Sequence, residues 1–141
     1  MERNLARRTY QARPPASSPT ERNVLYMKLH TDKGAISISS EVFTNITGAA
    51  ATNCYGVKGM AFRSKTDGLV HLLRRESMGK GVKITYHEDN SVSIRLHIIV
   101  EHGVNITAAC RSIMSEVRYK VNKYTGVEVK NVDVCVDSIV L

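Results

Sequence analysis

The clearest alternation of hydrophobic and polar positions lies between Ser91 and Gly126. Over Ser91–Glu101 every second residue is aliphatic, and most of the others are polar. Successive side chains of a strand point to opposite faces, so this pattern predicts a strand with one buried face. The aliphatic positions are Val92, Ile94, Leu96, Ile98 and Val100.

A long helix is predicted to follow this strand, because the apolar period changes from two residues to three and four. Asn105 can cap its first turn, since the side-chain oxygen can accept hydrogen bonds from free backbone amides. Gly126 can end it, because glycine adopts the left-handed C-terminal conformation without strain. The aliphatic face of the strand and the apolar stripe of the helix should therefore pack against each other. The predicted buried stripe of the helix is Ile106, Ala109, Cys110, Ile113, Val117, Val121 and Tyr124.

Weaker patterns occupy the amino-terminal half. Gly34–Ser39 alternates over two isoleucines and predicts a short strand. Ser39 or Ser40 then caps a helix with Glu41 in its first turn, where the helix dipole favours an anion. Small residues in this helix allow close approach to a neighbouring element. Its predicted buried residues are Val42, Ile46, Ala49, Ala50 and Cys54.

The segment after this helix is harder to interpret. Residues 55–61 contain two glycines and are expected to be an irregular connection. Apolar residues within 69–75 predict a short helix capped by Thr66 or Asp67, and residues 77–81 are expected to form a loop.

Two further strands complete the predicted sheet. Val82–Tyr86 alternates and is separated from Ser91–Glu101 by a short polar turn, which predicts an antiparallel hairpin. In the last strand the valines change from odd-numbered to even-numbered positions near Lys130-Asn131, and this change predicts a bulge or kink. The order strand, helix, short helix, hairpin, helix, strand predicts an α+β two-layer sandwich. Its sheet should be mostly antiparallel with the helices on one face, in a ferredoxin-like β-α-β-β-α-β arrangement with an extra short helix.

The chain has 141 residues, and one domain is expected over residues 27–141. Residues 1–26 hold five arginines, two glutamates and three prolines with little apolar periodicity, so we expect a disordered basic tail. Two alternatives stay open: the natural protein starts at Met27, or the tail anchors the chain to RNA or lipid. The tail accounts for +3 of the net charge of +7, which leaves only a mild basic excess on the predicted domain.

Cysteine usage and hydropathy favour a cytoplasmic protein. Cys54, Cys110 and Cys135 show no paired spacing, which is typical of half-buried thiols in a reducing compartment. No apolar run approaches the roughly 20 residues of a membrane span, and the amino terminus lacks a secretory signal.

Catalytic and metal-binding motifs are not recognisable. The sequence lacks G-x-S-x-G and H-E-x-x-H, and Gly79-Lys80 lacks the flanking residues of a phosphate loop. The five histidines are scattered, so we expect no metal site and no cofactor. A small-molecule enzyme is therefore disfavoured.

One short motif suggests contact with nucleic acid. Gly56-Val57-Lys58-Gly59 is a G-x-x-G sequence, which KH domains use to bring backbone amides against a phosphate backbone. The candidate phosphate-contact residues are Gly56, Lys58, Gly59, Arg63, Arg74 and Arg75. The alternative is that the two glycines only permit a tight turn between elements.

Several short blocks also resemble a known family when taken in order. They are Gly34-Ala-Ile-Ser-Ile-Ser, Ala49-Ala-Ala-Thr-Asn-Cys-Tyr-Gly-Val-Lys-Gly-Met-Ala, Asp67-Gly-Leu with Lys80-Gly-Val, Val100-Glu-His-Gly-Val-Asn-Ile, and Thr125-Gly-Val-Glu-Val with Val132-Asp-Val. Together they resemble the bacterial alkaline shock protein family, especially its short members with little beyond this domain. The long amino-terminal segment departs from that pattern.

The resemblance implies a cytoplasmic protein linked to alkaline and cell-envelope stress, and it supplies no catalytic residues. Some such proteins are held at the membrane by a separate anchoring protein. Short members are often encoded beside a dihydroxyacetone-kinase-like protein of fatty acid activation, which suggests a lipid-metabolism context. We therefore expect a non-enzymatic protein acting through protein contacts, with homo-oligomers allowed. The alternative is an RNA-binding module that uses the G-x-x-G segment.

Overall fold

The computed structural model describes residues 26–66 and 68–141. It contains seven strands, two α-helices and one 3-10 helix within these residues. In chain order they are β1 (Tyr26–Thr31), β2 (Gly34–Ser39), α1 (Ser40–Thr52), β3 (Val57–Arg63), β4 (Val70–Leu72), the 3-10 helix (Arg75–Gly81), β5 (Val82–Tyr86), β6 (Ser91–Glu101), α2 (Ile106–Thr125) and β7 (Glu128–Val140). The predicted tail lies outside the described residues except for Tyr26, and so does Asp67, one of the two predicted helix caps.

Strand β6 is the centre of the main sheet. Strand β7 runs parallel along one side of β6 over its whole length. On the other side, β5 pairs antiparallel with residues 92–96 and β3 with residues 98–100, so these two strands share one edge of β6. Strand β4 extends the sheet beyond β3, while β1 and β2 form a separate antiparallel hairpin. The predicted α+β sandwich of ferredoxin-like order with a mostly antiparallel sheet is confirmed.

The hydrophobic core lies between one face of β6 and the two α-helices. All five predicted aliphatic positions of β6 are at most 1 % exposed, which confirms the buried face. Phe43 of α1 packs its ring edge-on against Tyr86 with centroids 6.0 Å apart, and Met27 and Leu29 bring the hairpin onto the same core. Burial of this aliphatic surface is the main stabilising contribution to the fold.

The ends of α2 follow the sequence prediction. The Asn105 side-chain oxygen accepts a hydrogen bond from the Ala108 amide at 3.0 Å, so it satisfies a free donor of the first turn. Gly126 has φ of 74° and its amide donates to the Asn122 carbonyl at 2.8 Å. The predicted irregularity in the last strand is also present, because the register with β6 shifts at Lys130.

Two predicted helix faces need correction. The buried side of α1 is rotated by one residue from the prediction, since Phe43 and Thr47 are buried whereas Val42 is 41 % exposed. The large ring of Phe43 fills the space between helix and sheet, and this places Val42 outside. In α2 the buried stripe is shorter than predicted, because Ile106 and Tyr124 at its two ends are exposed.

The segments around α1 differ most from the sequence prediction. The hairpin strand β1 was not predicted, and the expected connection at 55–61 contains most of β3. The helix predicted over residues 69–75 is wrong: strand β4 occupies its centre and the short helix lies later, at Arg75–Gly81. Pairing of β4 with β3 supplies backbone hydrogen bonds that outweigh a weak local helix preference.

Candidate functional site

The G-x-x-G segment begins as a closed turn rather than an open loop. Gly56 has φ of +86° and is buried, and a Cβ added to it would lie 2.7 Å from Cγ1 of Val104. Its carbonyl accepts a hydrogen bond from the Glu101 amide at 2.9 Å, and the Val57 amide donates to the Cys54 carbonyl. Gly56 therefore joins the end of α1 to the end of β6, and its conformation has a structural reason.

Lys58 and Gly59 lie on β3, where the strand's register with β6 is irregular. Gly59 is buried, and a Cβ on it would meet the tip of the Leu72 side chain at 2.8 Å. Lys58 is exposed between the two glycines. The second half of the motif thus belongs to the sheet.

A groove between α1, β3 and the 3-10 helix collects half of the predicted contact residues. We call it the basic groove; its volume is about 280 Å³. Lys58, Gly59 and Arg75 line it, and within residues 26–66 and 68–141 neither cation forms a salt bridge. The remaining lining residues are Ala49, Thr52, Asn53, Met60, Leu73 and Met78.

The other three predicted residues do not line this groove. Gly56 lies in the turn before β3. The Arg63 guanidinium donates to the Gly68 carbonyl at 2.8 Å and so fastens the β3–β4 connection. Arg74 precedes the 3-10 helix, where its carbonyl accepts from the Ser77 amide at 2.9 Å.

A second groove, which we call the helix groove, lies between α1 and α2 and has a volume of about 320 Å³. Its wall on α2 includes Tyr124, which is 61 % exposed. Glu116 and Lys120 form an ion pair at 4.0 Å on its rim, and the Lys120 ammonium lies 5.9 Å from the centre of the Tyr124 ring. The remaining lining residues are Asn45, Ile46, Ala49, Ala50 and Asn53.

Sequence reasoning missed the helix groove because it assigned Ile46, Ala49 and Tyr124 to the core. The one usable signal was the run of small residues in α1. Small side chains let α1 approach α2 closely, and here they also leave the bottom of a surface groove open.

Polar pairs cover the outer face of the sheet, opposite the helices. Asp133 pairs with Arg95 at 3.6 Å, and the Asp137 carboxylate lies 3.1 Å from Nδ1 of His97. Ser93 lies 2.7 Å from Nε2 of His87 and donates its hydroxyl proton to the Asn131 side-chain oxygen at 2.8 Å.

Ser93 and His87 resemble a nucleophile and base in distance only. A hydroxyl has one proton, and Ser93 gives it to Asn131, so His87 Nε2 must donate to Ser93 rather than accept from it. In that tautomer His87 Nε2 is a hydrogen-bond donor to Ser93 and not the base that a nucleophilic hydroxyl needs. In this arrangement Ser93, on β6, links His87, which follows β5, to Asn131 of β7.

Two of the thiols, those of Cys54 and Cys110, lie where burial disfavours the thiolate. Burial raises the pKa of Cys54, a nearby Glu116 carboxylate adds to the rise, and a hydrogen bond with Ser112 opposes it. Burial likewise raises the pKa of Cys110. A raised pKa lowers the thiolate fraction, and the thiolate is the nucleophile. Across the part of the chain that the structure describes, His, Cys, Asp and Glu side chains form no group of three suited to a metal ion.

A family model and the similar proteins point to the same family. Residues 28–141 match the model of the alkaline shock protein family, which is described as having a cell envelope-related function. YloU of Bacillus subtilis (strain 168) is 35 % identical over 114 residues, covering 80 % of this chain and 94 % of YloU. Spy1614 of Streptococcus pyogenes serotype M6 is 31 % identical over 114 residues, covering 80 % of this chain and 93 % of Spy1614.

Among solved structures, the MamM CTD variant H264E superposes with a TM-score of 0.43 and 14 % identity, over 70 % of this chain and 94 % of that one. The variant M250L gives the same TM-score with 16 % identity. Over the described residues, neither α-helix is both long and apolar enough to cross a bilayer.

Proposed function

Because the chain belongs to the alkaline shock protein family of cell envelope-related proteins, we propose that it is a non-catalytic protein-binding module that serves the cell envelope from the cytoplasm. The observation that carries this proposal is the open helix groove, with an exposed tyrosine on its wall. Tyrosine-rich, partly apolar surfaces are typical of protein interfaces.

The partner that fits this groove is an amphipathic helix with acidic flanks. A groove between two helices accepts a third helix through apolar side chains spaced three and four residues apart. On the groove side of α2, the Lys120 and Lys123 ammonium groups lie 5.9 and 5.6 Å from the centre of the Tyr124 ring, and the one acidic residue of the helix, Glu116, pairs with Lys120. Acidic flanks on the partner would complement this charge and accelerate the encounter.

Absence of catalysis is part of the same proposal. In the most suggestive polar pair, the Ser93 hydroxyl donates its proton to Asn131 rather than to His87, and burial raises the pKa values of the Cys54 and Cys110 thiols. Measured turnover of a substrate that is lost in Ser93→Ala would overturn this part.

The decisive experiment compares capture by groove variants. Immobilised protein is incubated with nuclease-treated cell extract, including its membrane fraction, and captured proteins are identified by mass spectrometry. The membrane anchor and the kinase-like protein suggested by the family resemblance are the first purified partners to test. Asn45→Arg and Tyr124→Ala should each abolish capture, because they block or remove a wall of the groove.

Tyr119→Ala is the matched control, since Tyr119 is 58 % exposed on α2 and does not line the groove. A synthetic peptide of the partner's amphipathic helix should compete with capture. If binding survives both groove variants, or is lost equally with Tyr119→Ala, the groove is not the binding surface.

A second candidate is RNA binding through the basic groove, favoured by one observation: Lys58 and Arg75 line the same groove with neither held in a salt bridge within residues 26–66 and 68–141. Such cations can contact phosphates. The double variant Lys58→Glu with Arg75→Glu should then abolish retardation of single-stranded RNA at low salt. Lys83→Glu with Arg95→Glu, which reverses two positive charges on the outer face of the sheet, should retain it. No retardation by the unmutated protein would end this candidate.

A further inference from the structure

Strand β7 has a long free edge. It pairs with β6 along one side, and no strand among residues 26–66 and 68–141 pairs with its other side. A free edge presents backbone N–H and C=O groups that can pair with another strand. Register shifts with β6 near Lys130 and Asp137 bound a regular stretch, residues 131–136.

Apolar side chains border this edge on the helix side of the sheet. Val134 and Val136 are only partly buried, and Ile139 is 45 % exposed. Helix α2 packs over β7, where the Arg118 guanidinium donates to the Lys130 carbonyl at 3.3 Å. Met114 lies one turn before Arg118 on the same flank of the helix and is 36 % exposed. A free edge next to an exposed apolar strip is suited to association.

We propose that this edge pairs antiparallel with β7 of a second copy, about a twofold axis at Val134, so that two sheets become one continuous sheet. A twofold axis perpendicular to the sheet keeps each side chain on the same face of the sheet. Two residues that lie opposite each other across the axis must therefore both be even-numbered or both be odd-numbered. Val132 then lies opposite Val136, and Val134 opposite its own copy. The two apolar strips meet at the axis, and on the outer face Asp133 lies opposite Cys135.

Charge selects this register over its neighbours. A twofold axis at Asp133 would place two carboxylates directly opposite each other, and an axis at Cys135 would place Asp133 opposite Asp137. Like charges directly opposite on a sheet are destabilising. The axis at Val134 avoids both pairs and brings the Asn131 amide opposite Asp137.

Within each copy the two carboxylates already have partners on β6. Asp133 contacts Arg95 at 3.6 Å, and Asp137 contacts His97 at 3.1 Å. Pairing at Val134 leaves both contacts in place. It also leaves the helix groove open, because that groove lies on the opposite flank of α2, beside α1.

The test begins with the mass of the full chain in solution, measured by sedimentation over a range of concentrations. A species of twice 15.7 kDa is expected. Asp133→Cys then reports the register, because each new thiol lies directly opposite Cys135 of the other copy. Opposite residues have Cα atoms about 4.5 to 5.5 Å apart, which a disulfide spans. Mild oxidation should give a covalent dimer.

Two controls define the register. The unmutated chain should not cross-link, since the two Cys135 residues are diagonal and their Cα atoms lie about 8 Å apart, beyond the reach of a disulfide. Asp133→Cys combined with Cys135→Ser should not cross-link either. Ready cross-linking of the unmutated chain would place the axis at Cys135 and overturn the proposed register.

Disruption provides the second measurement. Val134→Lys puts two ammonium groups side by side at the axis and should raise the dissociation constant of the dimer about a hundredfold. Thr85→Lys, on strand β5 across β6 from β7, is not on the free edge and should leave it unchanged. The thermal unfolding of both variants shows whether each is folded. A folded Val134→Lys variant that remains dimeric, or an unmutated chain that is monomeric at all concentrations, would overturn the proposal.

Discussion

Replacing Gly56 by alanine tests whether the first glycine of the G-x-x-G segment is structural. Gly56 has φ of +86°, and an added Cβ would lie 2.7 Å from Cγ1 and 2.8 Å from Cγ2 of Val104. Two costs are therefore expected. An L-residue with positive φ costs about 1–2 kcal/mol. Forcing a methyl group against a packed valine adds about 1–3 kcal/mol.

Gly103→Ala separates these two costs. Gly103 has φ of +90°, and nothing lies within 4 Å of its added Cβ. This variant should show only the conformational cost. We expect Gly56→Ala to lower the free energy of unfolding by about 3 kcal/mol and Gly103→Ala by about 1.5 kcal/mol. For a domain of this size the melting temperatures should fall by about 10 °C and 5 °C.

Thermal unfolding followed by circular dichroism measures both variants, and a double-mutant cycle completes the test. Val104→Ala should remove most of the extra cost in Gly56→Ala, because it deletes the two methyl groups that clash. Equal melting temperatures for the two glycine variants would refute the steric part of the reasoning. So would a Gly56→Ala variant that Val104→Ala does not rescue.

Three further predictions concern stability. Ile98→Asp should lower the free energy of unfolding by more than about 4 kcal/mol, because Ile98 is 0 % exposed and the new carboxylate would have no partner in the core. A soluble variant with an unchanged denaturant midpoint would contradict the placement of Ile98 in the core. Asn105→Ala should cost about 1 kcal/mol by urea titration, since it removes the cap on the Ala108 amide, whereas an unchanged midpoint would mean that the bond contributes nothing. A hydrogen bond from Ser91 lowers the pKa of Asp89, so the ionised carboxylate adds stability above its unfolded pKa, and that stability is lost as the pH falls through the folded pKa. Asp89→Asn should therefore show a smaller loss of stability between neutral pH and pH about 3 than the unmutated chain, and identical pH profiles would refute the linkage.

The central strand and long helix could be predicted because each carries its own period and its own end signals. Alternation over Ser91–Glu101 and the cap at Asn105 depend on neighbours close in sequence, so local chemistry was sufficient. The buried face of α1 was predicted with an error of one residue. Its small, apolar residues allow several rotations of the helix about its axis that satisfy the same pattern. The position of Phe43 against Tyr86 decides between them, and Tyr86 lies far along the chain.

For the two candidate grooves, too, the sequence indicated some of the residues and only the fold showed which of them lie together. Basic residues and glycines near residue 58 drew attention from composition alone, but only the fold brings Lys58 and Arg75 into one groove and directs Arg63 to the Gly68 carbonyl. The run of small residues in α1 was the one sequence signal of the helix groove, and it could not identify the opposite wall, which lies more than sixty residues along the chain. Tyr124 belongs to the apolar pattern of α2, yet the fold leaves it exposed on the wall of the helix groove.

By itself the sequence determined the alternating strand, the capped helix after it, the bulge at Lys130 and the resemblance to an envelope-related family. Tertiary structure alone decided that β7 lies parallel beside β6 with its far edge free, that residues 70–72 form a strand, and which side chains share a groove. The physical reason is that periodicity and capping are local, whereas strand pairing and groove formation depend on which distant surfaces bury each other.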